Sequence, residues 1–149
     1  MTMKRLYIVL AFALASMTVS AQNIVEKFVS HKLDIVESDT KRPIHSDVDL
    51  KYVIASVFID EQEYLIISNP NIMTYNLIVF NKAEEIVNSN TKIRMYQGGE
   101  NIKDVGTYTA NVFYYYDIQR NESIPESIWL ELDNSPNILI FSGIIRINE

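Results

Sequence analysis

Asp104-Val105-Gly106-Thr107-Tyr108-Thr109-Ala110-Asn111-Val112-Phe113-Tyr114-Tyr115-Tyr116-Asp117-Ile118 carries the sharpest strand signal in the chain. From Thr107 onward the residues alternate. Tyr108, Ala110, Val112, Tyr114, Tyr116 and Ile118 share one face, and Thr107, Thr109, Asn111, Phe113, Tyr115 and Asp117 share the other. Side chains in a strand repeat every two residues, so the first set is expected to enter a core and the second mostly to face outward. β-branched and aromatic residues fill the stretch, as a pleated, half-buried surface prefers. Gly106 permits a sharp backbone turn at its start that a Cβ would resist.

Similar strands flank it. Ser127 to Asp133 alternates with Ile128, Leu130 and Leu132 inward, and Ile138 to Ile147 puts Leu139, Phe141, Ile145 and Ile147 on one face. Gly143 falls on that same face, where a strand glycine marks a bulge or a close backbone approach. Upstream, Asp49 to Ile59 is apolar on both faces, as in a central strand. Tyr64 to Ser68 and Ile72 to Phe80 are separated by the turn signal Asn69-Pro70-Asn71. Asn81 to Val87 reads either as a short helix capped by Asn81, with Glu84 three residues on, or as a continuing edge strand. Thr91 to Gln97 is a further strand, expected to end at Gly98-Gly99. Ser38 to Asp47 is expected to be a polar connection broken by Pro43.

Asn23 to Glu37 is expected to be an amphipathic helix. Stepping about 100° per residue gathers Ile24, Val25, Phe28, Val29, Leu33, Ile35 and Val36 on one half of the wheel. A strand from Val29 to Ile35 is the competing reading. The fold expected is mainly β: an antiparallel meander of about seven strands, as a sandwich or partly closed barrel, with this one N-terminal helix packed on it.

Met1 to Ala21 reads as a secretory signal peptide. Lys4 and Arg5 precede an apolar run, Leu6 to Ala15, and Val19-Ser20-Ala21 supplies small residues for cleavage. The run is too short to span a bilayer, and cleavage leaves no transmembrane anchor. Residues 22–149 then form a single domain, periplasmic or secreted. Removing Lys4 and Arg5, with no acidic residue, moves the net charge from −6 to −8. Without clustered Lys and Arg, an acidic chain is not expected to bind nucleic acid. The sequence has no cysteine, which removes disulfides, thiolate ligands and thiol nucleophiles.

Asp104-Val105-Gly106-Thr107-Tyr108-Thr109-Ala110 is similar to the D-x-G-x-Y-x-C corner of immunoglobulin-like sandwiches, which implies a tyrosine hydroxyl bonded back to upstream backbone. Ala110 stands where that corner has cysteine, and Trp129 follows the corner instead of preceding it, so the likeness is local. A longer pattern resembles small exported β-domains of Bacteroidota: Gly106-Thr107-Tyr108-Thr109, then Leu132-Asp133-Asn134, then Ser142-Gly143. It covers the last third of the chain. It implies a mainly β domain in the cell envelope or outside, and carries over no functional residue.

Catalytic constellations are sparse. A serine triad needs a histidine base, and the chain has only His31 and His45, with no G-x-S-x-G elbow. The histidines lack metal-site spacing, so no metal or other cofactor is expected. Asp60, Glu61 and Glu63 cluster in a turn and Glu84 and Glu85 are adjacent, but such groups are usually solvated surface. One feature stands out. Phe113, Tyr115 and Trp129 lie on the polar faces of their strands, and if those strands are neighbours they form an exposed aromatic patch. A helix or second sheet over that face would bury it. The expected function is therefore a non-catalytic, exported binding or interaction module, meeting a protein or glycan of the envelope or beyond it. An inhibitor or immunity-like protein against an envelope enzyme is the alternative, and a carboxylate-dependent hydrolase the third reading.

Overall fold

The computed structural model describes residues 24–48, 51–69, 73–102 and 106–147. The segment read as a signal peptide and the corner residues Asp104 and Val105 lie outside the described residues. Nine strands follow one another: β1 (Ile24–Glu37), β2 (Pro43–Asp47), β3 (Tyr52–Ile59), β4 (Gln62–Asn69), β5 (Met73–Ile86), β6 (Thr91–Ile102), β7 (Gly106–Asp117), β8 (Ser127–Leu132) and β9 (Asn137–Arg146). From β3 to β9 each strand pairs antiparallel with the next, and β1 pairs with both β3 and β9. The sheet thereby closes into an eight-stranded barrel. It is a single curved sheet and not a sandwich of two.

β2 is the extra strand. It pairs with the C-terminal part of β1, Leu33 to Val36, beyond the stretch that β3 occupies. Pro43 opens it, a first-residue edge position where a missing amide hydrogen does no harm. The polar connection expected there is thus partly strand.

The expected N-terminal helix is β1. The reason lies in its frame. Phe28 and Ser30 are buried at even positions, whereas Leu33 is buried and Ile35 packs on the core at odd ones. A strand whose inward frame changes halfway spaces its apolar residues much as a helix does, and the wheel cannot tell the two apart. β9 changes frame at the paired position. Leu139 and Phe141 point inward, Gly143 adopts φ 61°, and beyond it Ile144 packs on the core while Ile145 is exposed. Ile145 therefore does not share the face of Leu139 and Phe141. Ser30 pins the change: its hydroxyl lies 2.7 Å from the Ser142 carbonyl and 3.0 Å from that of Lys32.

Asn81 to Ile86 continues β5 as strand, and β6 runs on through Gly98 and Gly99. The register shifts between Val79 and Asn81, beside Gly98, and neighbouring backbone lies close to both glycines. A Cβ on Gly98 would meet the Ile78 carbonyl oxygen at 2.7 Å, and one on Gly99 the Tyr108 carbonyl oxygen at 2.8 Å. The glycines admit a neighbouring strand and do not end their own.

The barrel interior is filled. Tyr52, Tyr96, Tyr114, Tyr116, Phe28 and Phe141 are buried, and rings from different strands meet edge-on, as Phe28 does with Tyr114 and Tyr52 with Phe141. Eight strands leave an interior about wide enough for side chains to fill. Ala55, Val57 and Ile66 form a second buried cluster on the opposite face of β3 and β4, as the two-sided apolar pattern of β3 requires.

Candidate functional site

β7 and β8 are neighbours, with Phe113 directly opposite Trp129 and Tyr115 opposite Ser127. The three aromatic residues singled out from sequence therefore meet on the outside of the barrel. Ring centroids are 6.2 Å apart for Phe113 and Tyr115, and 5.0 Å for Tyr115 and Trp129. Trp129 Nε1 donates to the Ser127 hydroxyl at 3.0 Å, which ties the indole to its own strand. All three rings are half-buried.

The patch is wider than those three. Met95 lies opposite Phe113 and Ile140 opposite Trp129, so Met95, Phe113, Trp129 and Ile140 form one row across β6, β7, β8 and β9. Ile93 lies opposite Tyr115 in the adjoining row. Each is half-exposed. Among the described residues there is no helix and no second sheet over this face. Acidic groups border the row: Glu131 lies opposite Asn111, and Asp34 opposite Ile140. Burial, and then the charge of Glu131, push the Tyr115 hydroxyl above its ordinary pKa. The sequence alone did not indicate Met95, Ile93 or Ile140, because only strand order aligns them with the rings.

A second group sits at one end of the barrel, the end carrying the β3–β4, β5–β6 and β7–β8 connections. Arg94 extends inward from β6 over the rings of Tyr114 and Tyr116. Its Nη1 lies 2.7 Å from Glu26 and its Nε 3.3 Å from Glu84. Arg146 Nη2 reaches the other oxygen of Glu26 at 3.5 Å, and Lys82 reaches Glu63 at 3.4 Å. Ser56 donates to Glu63 at 2.6 Å. Lys92 Nζ stands 4.4 Å from the centre of the Tyr116 ring. Burial raises the Tyr96 hydroxyl to about 12, against the opposing pull of Arg94.

Glu63 and Glu84 belong to this end; Glu84 is exposed, as the solvated-surface reading expected, and Glu63 is not. Glu63 is buried on the inner face of β4, and Asp60 and Glu61 alone form the turn, both with positive φ. The sequence signal for Glu63 was available: it shares the frame of the inward Leu65 and Ile67. Tyr108 bonds to the side chain of Glu100, where the corner likeness implied a bond to backbone. His45 pairs with Asp47 on β2 at 2.9 Å, and His31 lies beside Gly143 on β1.

No protein-family model, curated protein or solved structure matches the chain.

Proposed function

We propose that the protein is an exported, non-catalytic binding module that docks a protein partner on the outer face of β6 to β9. The observation carrying this reading is the row Met95, Phe113, Trp129 and Ile140, with Ile93 and Tyr115 beside it, half-exposed on the outside of a closed barrel. Large rings held by their neighbours lose little further entropy on binding, and aromatic anchors dominate protein interfaces. Methionine and isoleucine in the same row favour a protein over a sugar, since they offer sugar hydroxyls no polar partner. The border of Glu131 and Asp34 suits a partner with a basic rim. Export rests on the composition of residues 1–21 and on the resemblance to exported Bacteroidota domains.

The test is capture from envelope extract with the wild-type chain, Trp129→Ala and Tyr115→Ala, with Phe80→Ala as a control on exposed surface away from the row. Loss of a hot-spot ring costs about 2 kcal/mol or more, so each of the first two variants should weaken a captured protein at least about thirtyfold. Phe80→Ala should not. Glycan capture, or equal capture by all variants, overturns the reading. If the captured protein is an enzyme whose activity falls on binding, the inhibitor reading replaces the plain interaction module.

A further inference from the structure

The aromatic row runs into a cleft. β7 presents Phe113, Tyr115 and Asp117 in turn on its outer face, and Asp117 stands opposite Thr91 of β6 as Tyr115 stands opposite Ile93. Beyond Tyr115 a cleft of about 220 Å³ opens between the β5–β6 and β7–β8 connections. Tyr115 and Ser127 form the wall it shares with the row. Asp117 and Glu126 are the only charged residues among the described ones in its lining.

The two carboxylates are held differently. Glu126 pairs with Arg120, which lies outside the lining. Asp117 is half-buried and makes no ion pair among the described residues. Its Oδ1 accepts from the backbone amides of Gln119 at 3.2 Å and Arg120 at 3.4 Å, which caps the turn after β7. Lys92 is on the inner face of β6, over the Tyr116 ring, where it donates to the Glu122 carbonyl at 3.4 Å, and it does not line the cleft. Asp117, Glu126 and Arg120 together leave one negative charge beside the ring of Tyr115. The outer face is therefore acidic at this end too, as it is beyond Trp129 at Glu131.

We propose that the cleft receives a lysine or arginine side chain of the partner that docks on the aromatic row, with Asp117 meeting its charge and Tyr115 packing on its stem. The inference rests on the docking reading and names the chemistry of the partner. A basic side chain is apolar along its stem and cationic at its head, which matches a ring beside an unpaired carboxylate. A cation near a tyrosine face gains further attraction. The space is smaller than a drug-sized site and suits one side chain. A metal ion fits poorly, because Arg120 already engages one carboxylate and no group of three or more metal-ligating side chains occurs among the described residues. A strand rises about 3.4 Å per residue, so Asp117 lies about 14 Å along β7 from Phe113. An extended partner segment alongside has the same rise, and its residues i, i+2 and i+4 stand at Phe113, Tyr115 and Asp117.

The experiment is fluorescence anisotropy with two labelled, amidated peptides, Leu-Ser-Leu-Ser-Lys and the same peptide ending in norleucine, titrated with the protein. The lysine peptide should bind about fivefold tighter at low salt, the value of one partly shielded ion pair. About 1 M sodium chloride should erase that difference. Asp117→Asn keeps the Oδ1 acceptor that caps the turn and removes only the charge. It should bring the lysine peptide to the affinity of the norleucine peptide and leave the latter unchanged. Trp129→Ala should weaken both. Equal binding of the two peptides by the wild type, a lysine preference that survives Asp117→Asn, or no binding of the lysine peptide overturns the proposal. The two readings fail separately. Equal binding that Trp129→Ala weakens leaves the row standing without the cleft. A lysine preference lost in Asp117→Asn but untouched by Trp129→Ala leaves the cleft standing without the row.

Discussion

Gly98 and Gly143 are required for different physical reasons, and alanine separates them. At Gly143 the surroundings are open enough, with the nearest atom to an added Cβ at 3.5 Å, but φ is 61°. Only the left-handed conformation is penalised there, by roughly 1–2 kcal/mol. Asparagine, which tolerates that conformation, should recover part of the loss. At Gly98 the backbone is ordinary but the Ile78 carbonyl oxygen would sit 2.7 Å from the Cβ, and it is backbone that must move. Gly98→Ala should therefore cost more than Gly143→Ala, and Gly98→Asn should rescue nothing. Urea denaturation of the four variants checks this ordering. Equal losses at both positions, or rescue by asparagine at Gly98, would mean the bulge in β5 yields more easily than its geometry implies.

At the scale of the strand, β1 and β9 show what alternation in a sequence conveys and where it stops. The inward residues of β7 and β8 were legible because neither strand changes frame: Val112, Tyr114, Ile128 and Leu130 are all buried as their spacing required. β1 was not legible, because Phe28 and Leu33 belong to different frames of one strand. The extra residue is held by contacts across the barrel, from the Ser30 hydroxyl to the Ser142 carbonyl, and no local pattern records such a contact. The same holds for the aromatic row. Phe113, Tyr115 and Trp129 could be placed on outward faces from sequence, but Met95 and Ile140 join them only through pairing partners distant in the chain. Ser30 offers the test of the frame change. Ser30 is fully buried, so Ser30→Ala leaves a buried carbonyl short of a donor and should destabilise by about 1–3 kcal/mol. The measurement is the urea midpoint, with an unchanged m-value showing that the barrel itself persists. A neutral Ser30→Ala would assign the frame change to Gly143 alone.

Closure is a property of the whole molecule, and nothing in one strand announces it. The pairing of β1 with β9 joins residues a hundred or more positions apart, from Phe28 with Arg146 to Glu37 with Asn137. A meander of short hairpins was readable, but whether its ends meet depends on twist and stagger summed over eight strands. Closure also explains why so many tyrosines are tied to stability. Burial raises the hydroxyls of Tyr52, Tyr75, Tyr96, Tyr114, Tyr115 and Tyr116 above the ordinary tyrosine value, with Tyr96 reaching about 12. The sign follows from linkage. A group with a raised pKa keeps its proton in the folded state where the unfolded chain has lost it, so its contribution is whole below about pH 10 and falls as pH rises toward its folded value. Each fully interior group of this kind removes up to about 1.4 kcal/mol per pH unit in that window. Three fully interior rings, Tyr96, Tyr114 and Tyr116, together remove about 4 kcal/mol per unit, enough to exhaust ordinary domain stability within a few units. The barrel should therefore unfold cooperatively between about pH 10 and 12, with phenolate absorbance and loss of β-sheet circular dichroism rising in one step. Tyr114→Phe, which removes one of these ionisations, should move the midpoint to higher pH. If phenolate absorbance instead completes gradually while the circular dichroism is unchanged, the inner tyrosines are reached by solvent and the filled, closed interior is wrong.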